Sequence, residues 1–120
     1  MPPYIFDKMG LIVMNEEYRL EINNIVKSIL SSVPALEIYL FGSFANGTQR
    51  EDSDFDFYVV IPDDSGMREL EASRIINRGM TRRTRGIDML VGTQSKFNRR
   101  KEYFYSIENE IVETGVKLHG

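Results

Sequence analysis

Hydrophobic and polar positions along this chain alternate between two periods, and the switches between them outline its elements. From Asn15, apolar Tyr18, Ile22, Ile25, Val26 and Ile29 recur at helical spacing, with two acids in the first turn and Asn15 at the N-cap position; the pattern ends near Ser31-Ser32, ahead of Pro34. Leu36 to Phe41 (LEIYLF) reads as a strand, broken by Gly42-Ser43, and Asp54 to Ile61 (DFDFYVVI) reads as a second. Between them, Ser43 to Gly47 predicts one or two helical turns and Thr48 to Ser53 a polar loop. Met67 to about Arg83 predicts a helix with Ala72, Ile75, Ile76 and Met80 on one face and Arg74, Arg78 and Arg82 on another. A strand over Ile87 to Val91 (IDMLV) follows, then a helical region over Ser95 to Thr114 with Phe97, Phe104, Ile107 and Ile111 apolar, stopped by a C′ glycine at Gly115. Val116 to Leu118 adds a short edge strand. Residues 1–14 carry Pro2-Pro3 and an apolar Leu11 to Met14, readable as an N-terminal arm or an edge strand; the pattern does not decide between them.

The order helix, strand, strand, helix, strand, helix, without repeat or linker, predicts one α/β unit over residues 1–120. A chain of 120 residues with 42% hydrophobic content buries roughly two-thirds of its unfolded surface. The absence of Cys removes disulfides and thiolate metal sites, and no apolar run reaches the ~18 residues of a membrane span, so the expected location is cytoplasmic. A net charge of −3 argues against nucleic acid as a partner, although six of the ten Arg fall between Arg68 and Arg85. The row Arg74, Arg78, Arg82 reads as a solvated helix face, paired in part with Glu71. Arg82, Arg83 and Arg85 crowd the approach to the third strand, where an acidic partner or a substrate phosphate would meet them.

The chemistry is carried by acids on strands. Successive strand side chains point to opposite faces, so Asp54 and Asp56 share a face about 6.5 to 7 Å apart while Phe55 and Phe57 point into apolar packing. Two like charges so close repel unless a cation lies between them, and hard oxygens left open to solvent suit Mg²⁺, which keeps waters and takes its remaining ligands from substrate phosphates. Asp88 interrupts an otherwise apolar strand, where a buried unpaired charge costs several kcal/mol, so it is expected to face a metal or water. A two-metal site wants such a third carboxylate. Gly42 lets a phosphate approach the backbone, and Ser43 at a helix start offers an N–H and a hydroxyl to an anion; Ser43 is thus a phosphate clamp and not a nucleophile.

LFGSFANGTQREDSDFDFYVVI followed by IDMLV resembles the nucleotidyltransferase domain of the DNA polymerase β superfamily, and more narrowly its minimal nucleotidyltransferases. The likeness runs from about Leu20 to the C-terminus, including the ending IENEIVETGVKLHG. It implies a polymerase β-like α/β (α+β) fold, a small mixed sheet flanked by helices. By the same resemblance Asp54 and Asp56 bind two Mg²⁺ ions, Asp88 binds the catalytic ion and acts as or supports the base, and Gly42 and Ser43 hold the β and γ phosphates of ATP, the substrate. Asn46 stands where the family often has Arg or Lys, and Arg50 occupies a frequently basic position that offers partial compensation. The implied activity is transfer of AMP to a hydroxyl, with a tyrosine of a HEPN-type helical partner, as in toxin–antitoxin modules, as the expected acceptor. Alternatives are a small-molecule acceptor of the aminoglycoside type, with a homo-oligomer completing the site, and a non-catalytic partner-binding subunit.

Overall fold

The computed structural model describes residues 16–80 and 85–120. The arm or strand at residues 1–14, the Asn15 cap, and Arg82 and Arg83 lie outside them. Helix α1 (Glu16–Ser32) leads through Pro34 into strand β1 (Glu37–Phe41), followed by the single turn α2 (Ser43–Asn46), strand β2 (Phe55–Ile61) and helix α3 (Glu69–Gly79). Strand β3 (Ile87–Thr93), helices α4 (Gln94–Arg100) and α5 (Ile107–Thr114), and strand β4 (Val116–His119) complete the described order. The sheet runs β3-β2-β1-β4, with β2 and β3 parallel and the other pairs antiparallel. It is a mixed sheet between helices, as the sequence implied.

Period-2 alternation divides the sheet into two faces. Ile38 and Leu40 of β1 and Phe55, Phe57, Val59 and Ile61 of β2 are buried on the first, against Ile22, Val26 and Ile29 of α1 and Ala72 and Ile76 of α3. Tyr39, Phe41, Tyr58 and Val60 occupy the second, packed with Phe97 of α4 and Ile111 of α5. The alternation assigns Asp56 and Asp88 to this second face too, where Asp56 is half-buried and Asp88 exposed. Helices α4 and α5 cover the Tyr58–Val60 end of β2 and leave its beginning open.

The bounds of α3 and of the helical region over residues 95–114 differ from expectation for local reasons. Helix α3 starts at Glu69 instead of Met67, because Ser65 Oγ takes the Met67 N–H (3.2 Å) and Glu71 Oε1 the Arg68 N–H (3.4 Å); it ends at Gly79, after which Met80 is extended. The expected helix over residues 95–114 is two. Ser106 Oγ caps α5 by accepting from the Asn109 N–H (3.0 Å) and donates to the Arg100 carbonyl (2.6 Å), while Asn109 Nδ2 donates to the Lys101 carbonyl (2.8 Å). The carbonyls at the end of α4 are thus taken up by the start of α5. The break leaves Phe104 on an exposed turn (87% accessible) instead of a packed helix face, and Tyr103 and Tyr105 are exposed beside it. Gly115 does stop α5, but with φ −77° and not in the left-handed form; what requires glycine is the close approach of the Ile111 carbonyl, 2.6 Å from where a Cβ would stand.

On the second face a buried carboxylate ties β2 to both covering helices. Glu108 (3% accessible) accepts from Tyr58 Oη at 2.9 Å and from Arg100 Nε at 2.9 Å. Burial pushes its carboxyl up, but the hydrogen bonds from Arg100 and Tyr58 outweigh burial and hold it below the usual carboxylate range. Burial and the Glu108 partner together push the Tyr58 hydroxyl up.

Candidate active site

The open end of the second face is built from the last residue of β1 and the first residues of β2 and β3. Phe41 is registered opposite Asp56, and Asp56 opposite Asp88, so three adjacent strands bring their ends into line. The register sets the Asp56 and Asp88 carboxyls side by side. Burial first, then the hydrogen bond that a protonated Asp56 would make to Asp88 and the repulsion from Asp88 and Asp54, push Asp56 from 3.8 up to about 6. This is the electrostatic signature of a place where a cation is wanted.

Asp54 has a different origin. Strand β2 begins at Phe55, so Asp54 ends the preceding loop and is exposed; it acts on Asp56 through its charge. No three Asp, Glu or His side chains among the described residues form a ready-made metal cage. The donor set still fits magnesium, since a carboxylate pair on neighbouring strands with a third acid nearby leaves room for the waters and phosphate oxygens that Mg²⁺ keeps. Thiolate or imidazole chemistry has no part in it.

Gly42 follows β1 at φ +76°, and its α-carbon lies directly against the Asp56 carboxylate: any Cβ there would run into Asp56 Oδ2. Glycine is required on both counts, conformation and space. Its carbonyl accepts from the Ala45 and Asn46 N–H groups at 3.1 Å each, which closes the turn α2 and sets Ser43, half-buried, at its start. Asn46 is exposed and turned on its own loop, its Oδ1 accepting from Thr48 Oγ1 (2.6 Å) and the Thr48 N–H (3.2 Å). Arg50 is exposed on the Thr48–Ser53 loop, which its backbone closes: its N–H donates to Ser53 Oγ (2.7 Å) and its carbonyl accepts the Ser53 N–H (3.0 Å). The structure therefore groups Gly42, Asp56 and Asp88, leaves Asp54 at the end of the loop before β2 and Ser43 at the start of α2, and carries Arg50 exposed on the loop over residues 48–53.

Arg85 departs from the sequence reading. Instead of meeting an outside phosphate or acidic partner, its guanidinium is turned inward, with only 14% of the side chain accessible. It lies over the rings of Tyr18 (4.9 Å), Phe44 (5.4 Å) and Phe55 (5.4 Å), a cation–π enclosure. The only hint in the sequence was its place, immediately before Gly86 and the strand that carries Asp88.

Residues 21–118 match the profile of the family described as the nucleotidyltransferase domain. The chain belongs to this nucleotidyltransferase family. A 42-residue segment is 45% identical to the protein adenylyltransferase MntA of Shewanella oneidensis, covering 34% of this chain and 30% of that one, so the match spans under a third of that relative. Among solved structures, a candidate nucleotidyltransferase of Sulfolobus solfataricus is similar at 25% identity and TM-score 0.51, over 75% of this chain and 85% of the other. A toxin–antitoxin complex with AMP-PNP shares the fold at 22% identity and TM-score 0.58, over 82% and 72% of the two chains. A mutant MntA–HpeT toxin–antitoxin complex does so at 21% and 0.57, with the same coverage. The nucleotidyltransferase assignment and the α/β fold thus agree. No helix among the described residues is long and apolar enough to cross a membrane.

Proposed function

We propose that this nucleotidyltransferase transfers AMP from ATP to the hydroxyl of a tyrosine on a HEPN-type helical partner protein, in the cytoplasm, as the modifying half of a toxin–antitoxin pair. The observation that carries the reading is the Asp56–Asp88 carboxyl pair beside the Gly42 turn. The resemblance to MntA and the shared fold of the toxin–antitoxin complexes support the acceptor class.

In this reading the acceptor oxygen attacks the α-phosphorus, the bond to the bridging oxygen breaks, and pyrophosphate leaves. Asp56 and Asp88, joined by Asp54, are the residues that would hold two Mg²⁺ ions. When bound, those ions neutralise the charge on the acceptor oxygen and on the leaving pyrophosphate. Asp88, the more exposed of the pair, would take or orient the acceptor proton. Gly42 and Ser43 hold the triphosphate at the turn, with Arg50 on the rim adding positive charge. Asn46, engaged with Thr48, contributes no charge to the phosphates.

Intact mass spectrometry after mixing the protein with α-labelled ATP, Mg²⁺ and the helical product of the neighbouring gene tests this. A partner heavier by one AMP, with label retained on a tyrosine, is expected. An unchanged partner mass overturns the acceptor assignment, and label appearing on a small molecule reassigns it. Partner neutralisation surviving Asp56→Asn would show a binding subunit in place of an enzyme.

A further inference from the structure

Asp54 is the one acid of the three that no strand fixes, because the β2 ladder begins after it. Its position depends on whatever holds the loop before it. Two facts identify the holder. Arg85 Nη1 donates to the carbonyls of both Glu51 (3.1 Å) and Ser53 (2.8 Å), which otherwise lie in a loop outside any strand ladder. The Gly86 carbonyl then accepts the Phe55 N–H (3.1 Å), and the Gly86 α-carbon lies so close to Asp54 that a Cβ would stand 2.8 Å from Asp54 Cγ.

We infer that Arg85 and Gly86 together are a positioning device for Asp54, gripping the chain on both sides of it and setting its carboxylate relative to the Asp56–Asp88 pair. The inference rests on the metal-dependent reading above. The device is stiff because the guanidinium is enclosed by the rings of Tyr18, Phe44 and Phe55 and faces Glu21 at 4.0 Å, so its donors are aimed before any ligand arrives. It also couples two acids, since Asp88 follows Gly86 by two residues on β3. The chain enters the third carboxylate strand through the segment that fixes the first carboxylate. A lysine keeps the charge but presents a compact ammonium on a flexible stem, not a planar fork aimed at the loop carbonyls.

The discriminating experiment compares wild type, Arg85→Lys and Gly86→Ala. Mn²⁺ binding to the protein without nucleotide is measured by electron paramagnetic resonance, alongside the melting temperature and the Mg²⁺ dependence of nucleotidyl transfer. Loss of a residue that orients metal ligands typically weakens metal affinity by about 10- to 100-fold. Arg85→Lys should weaken Mn²⁺ binding at least about tenfold and raise the half-maximal Mg²⁺ concentration by a similar factor. The acceptor KM should stay unchanged, and the rate should recover toward wild type at high Mg²⁺. Gly86→Ala, which presses on the Asp54 carboxylate without touching the aromatic enclosure, should act in the same direction and serves if Arg85→Lys fails to fold. A lower melting temperature with unaltered Mn²⁺ affinity in both variants would mean that the segment only holds the fold, and the inference is then wrong. A wild type that binds Mn²⁺ but transfers no nucleotide counts against the proposed function alone, while the Mn²⁺ comparison still decides this one.

Discussion

Replacing Asp56 by Asn should make the metal-free protein more stable while destroying its activity. Asp56 is pushed from 3.8 to about 6 by burial and by Asp88 and Asp54, a rise worth at most about 3 kcal/mol at 1.36 kcal/mol per unit. The carboxyl is partly open to water, so screening reduces this to about 1–2 kcal/mol. For an acid raised on folding, the stabilisation is fully present below the unfolded value of 3.8 and is lost as pH rises through about 6. Near pH 7.5 the wild type therefore bears the full repulsion, and Asn, of the same shape, does not. With an unfolding entropy of about 2.1 cal/mol/K per residue, 1 kcal/mol corresponds to about 4 °C for a chain of this size. Thermal melts in EDTA at pH 7.5 should place Asp56→Asn about 4–8 °C above wild type. The gap should narrow as pH falls below about 6 and shrink well under half only toward about pH 4, where the unfolded carboxyl is also taking up its proton. Mg²⁺ should raise the wild-type melting temperature at pH 7.5 and leave the variant nearly unmoved. A variant that melts below wild type in EDTA, or a gap equal at the two pH values, would refute the argument that these carboxyls repel.

The remaining expectations concern the other parts of the site and its support. Gly42→Ala forces a Cβ into the Asp56 carboxylate at a positive φ, and should cost about 1–3 kcal/mol in denaturant melts together with most of the transfer activity. Asp88→Asn, at an exposed position, should keep the wild-type fold by circular dichroism yet reduce kcat by at least about a hundredfold, the scale of a lost proton acceptor. Glu108→Gln breaks a buried hydrogen-bonded pair with Arg100 and should destabilise by about 1–3 kcal/mol without altering Mg²⁺ dependence. Since the Glu108 carboxyl is held low, its contribution is present above the ordinary glutamate range and fades as pH falls through the lowered value, so the penalty of that substitution should diminish in acid melts.

What the sequence made legible was whatever depends on period and on contiguous motif. The alternation in DFDFYVVI assigned Phe55 and Phe57 to the core and Asp56 to the opposite face, and the glycine after β1 marked the turn that meets it. The parallel register that sets Asp88 directly beside Asp56 follows from the crossover through α3, and only the residue type of Asp88 announced it. Illegible were the features made by contacts between distant segments. Arg85 looked like one more basic residue in a run because its aromatic enclosure draws on residues 18, 44 and 55. The break between α4 and α5 was hidden because apolar residues continue at helical spacing across it; the Ser106–Asn109 cap, a local hydrogen bond in competition with that periodicity, decided the outcome.

Stability and function pull against each other at one end of one sheet. Helices α4 and α5 cover Tyr39, Tyr58 and Val60 and satisfy Glu108 with two donors, so acid chemistry on that part of the face is neutralised within the protein. A few residues away along β2 the same face is left uncovered, and Asp56 is registered beside a second acid, Asp88. A carboxylate on the covering helix α5 and one on β2 thus meet opposite fates according to what their neighbours supply. The inward-turned Arg85 does not relieve the charge at Asp56, because its guanidinium is committed to the loop carbonyls. An arginine free to pair with Asp56 would steady the fold and, on the proposed reading, compete with the cation.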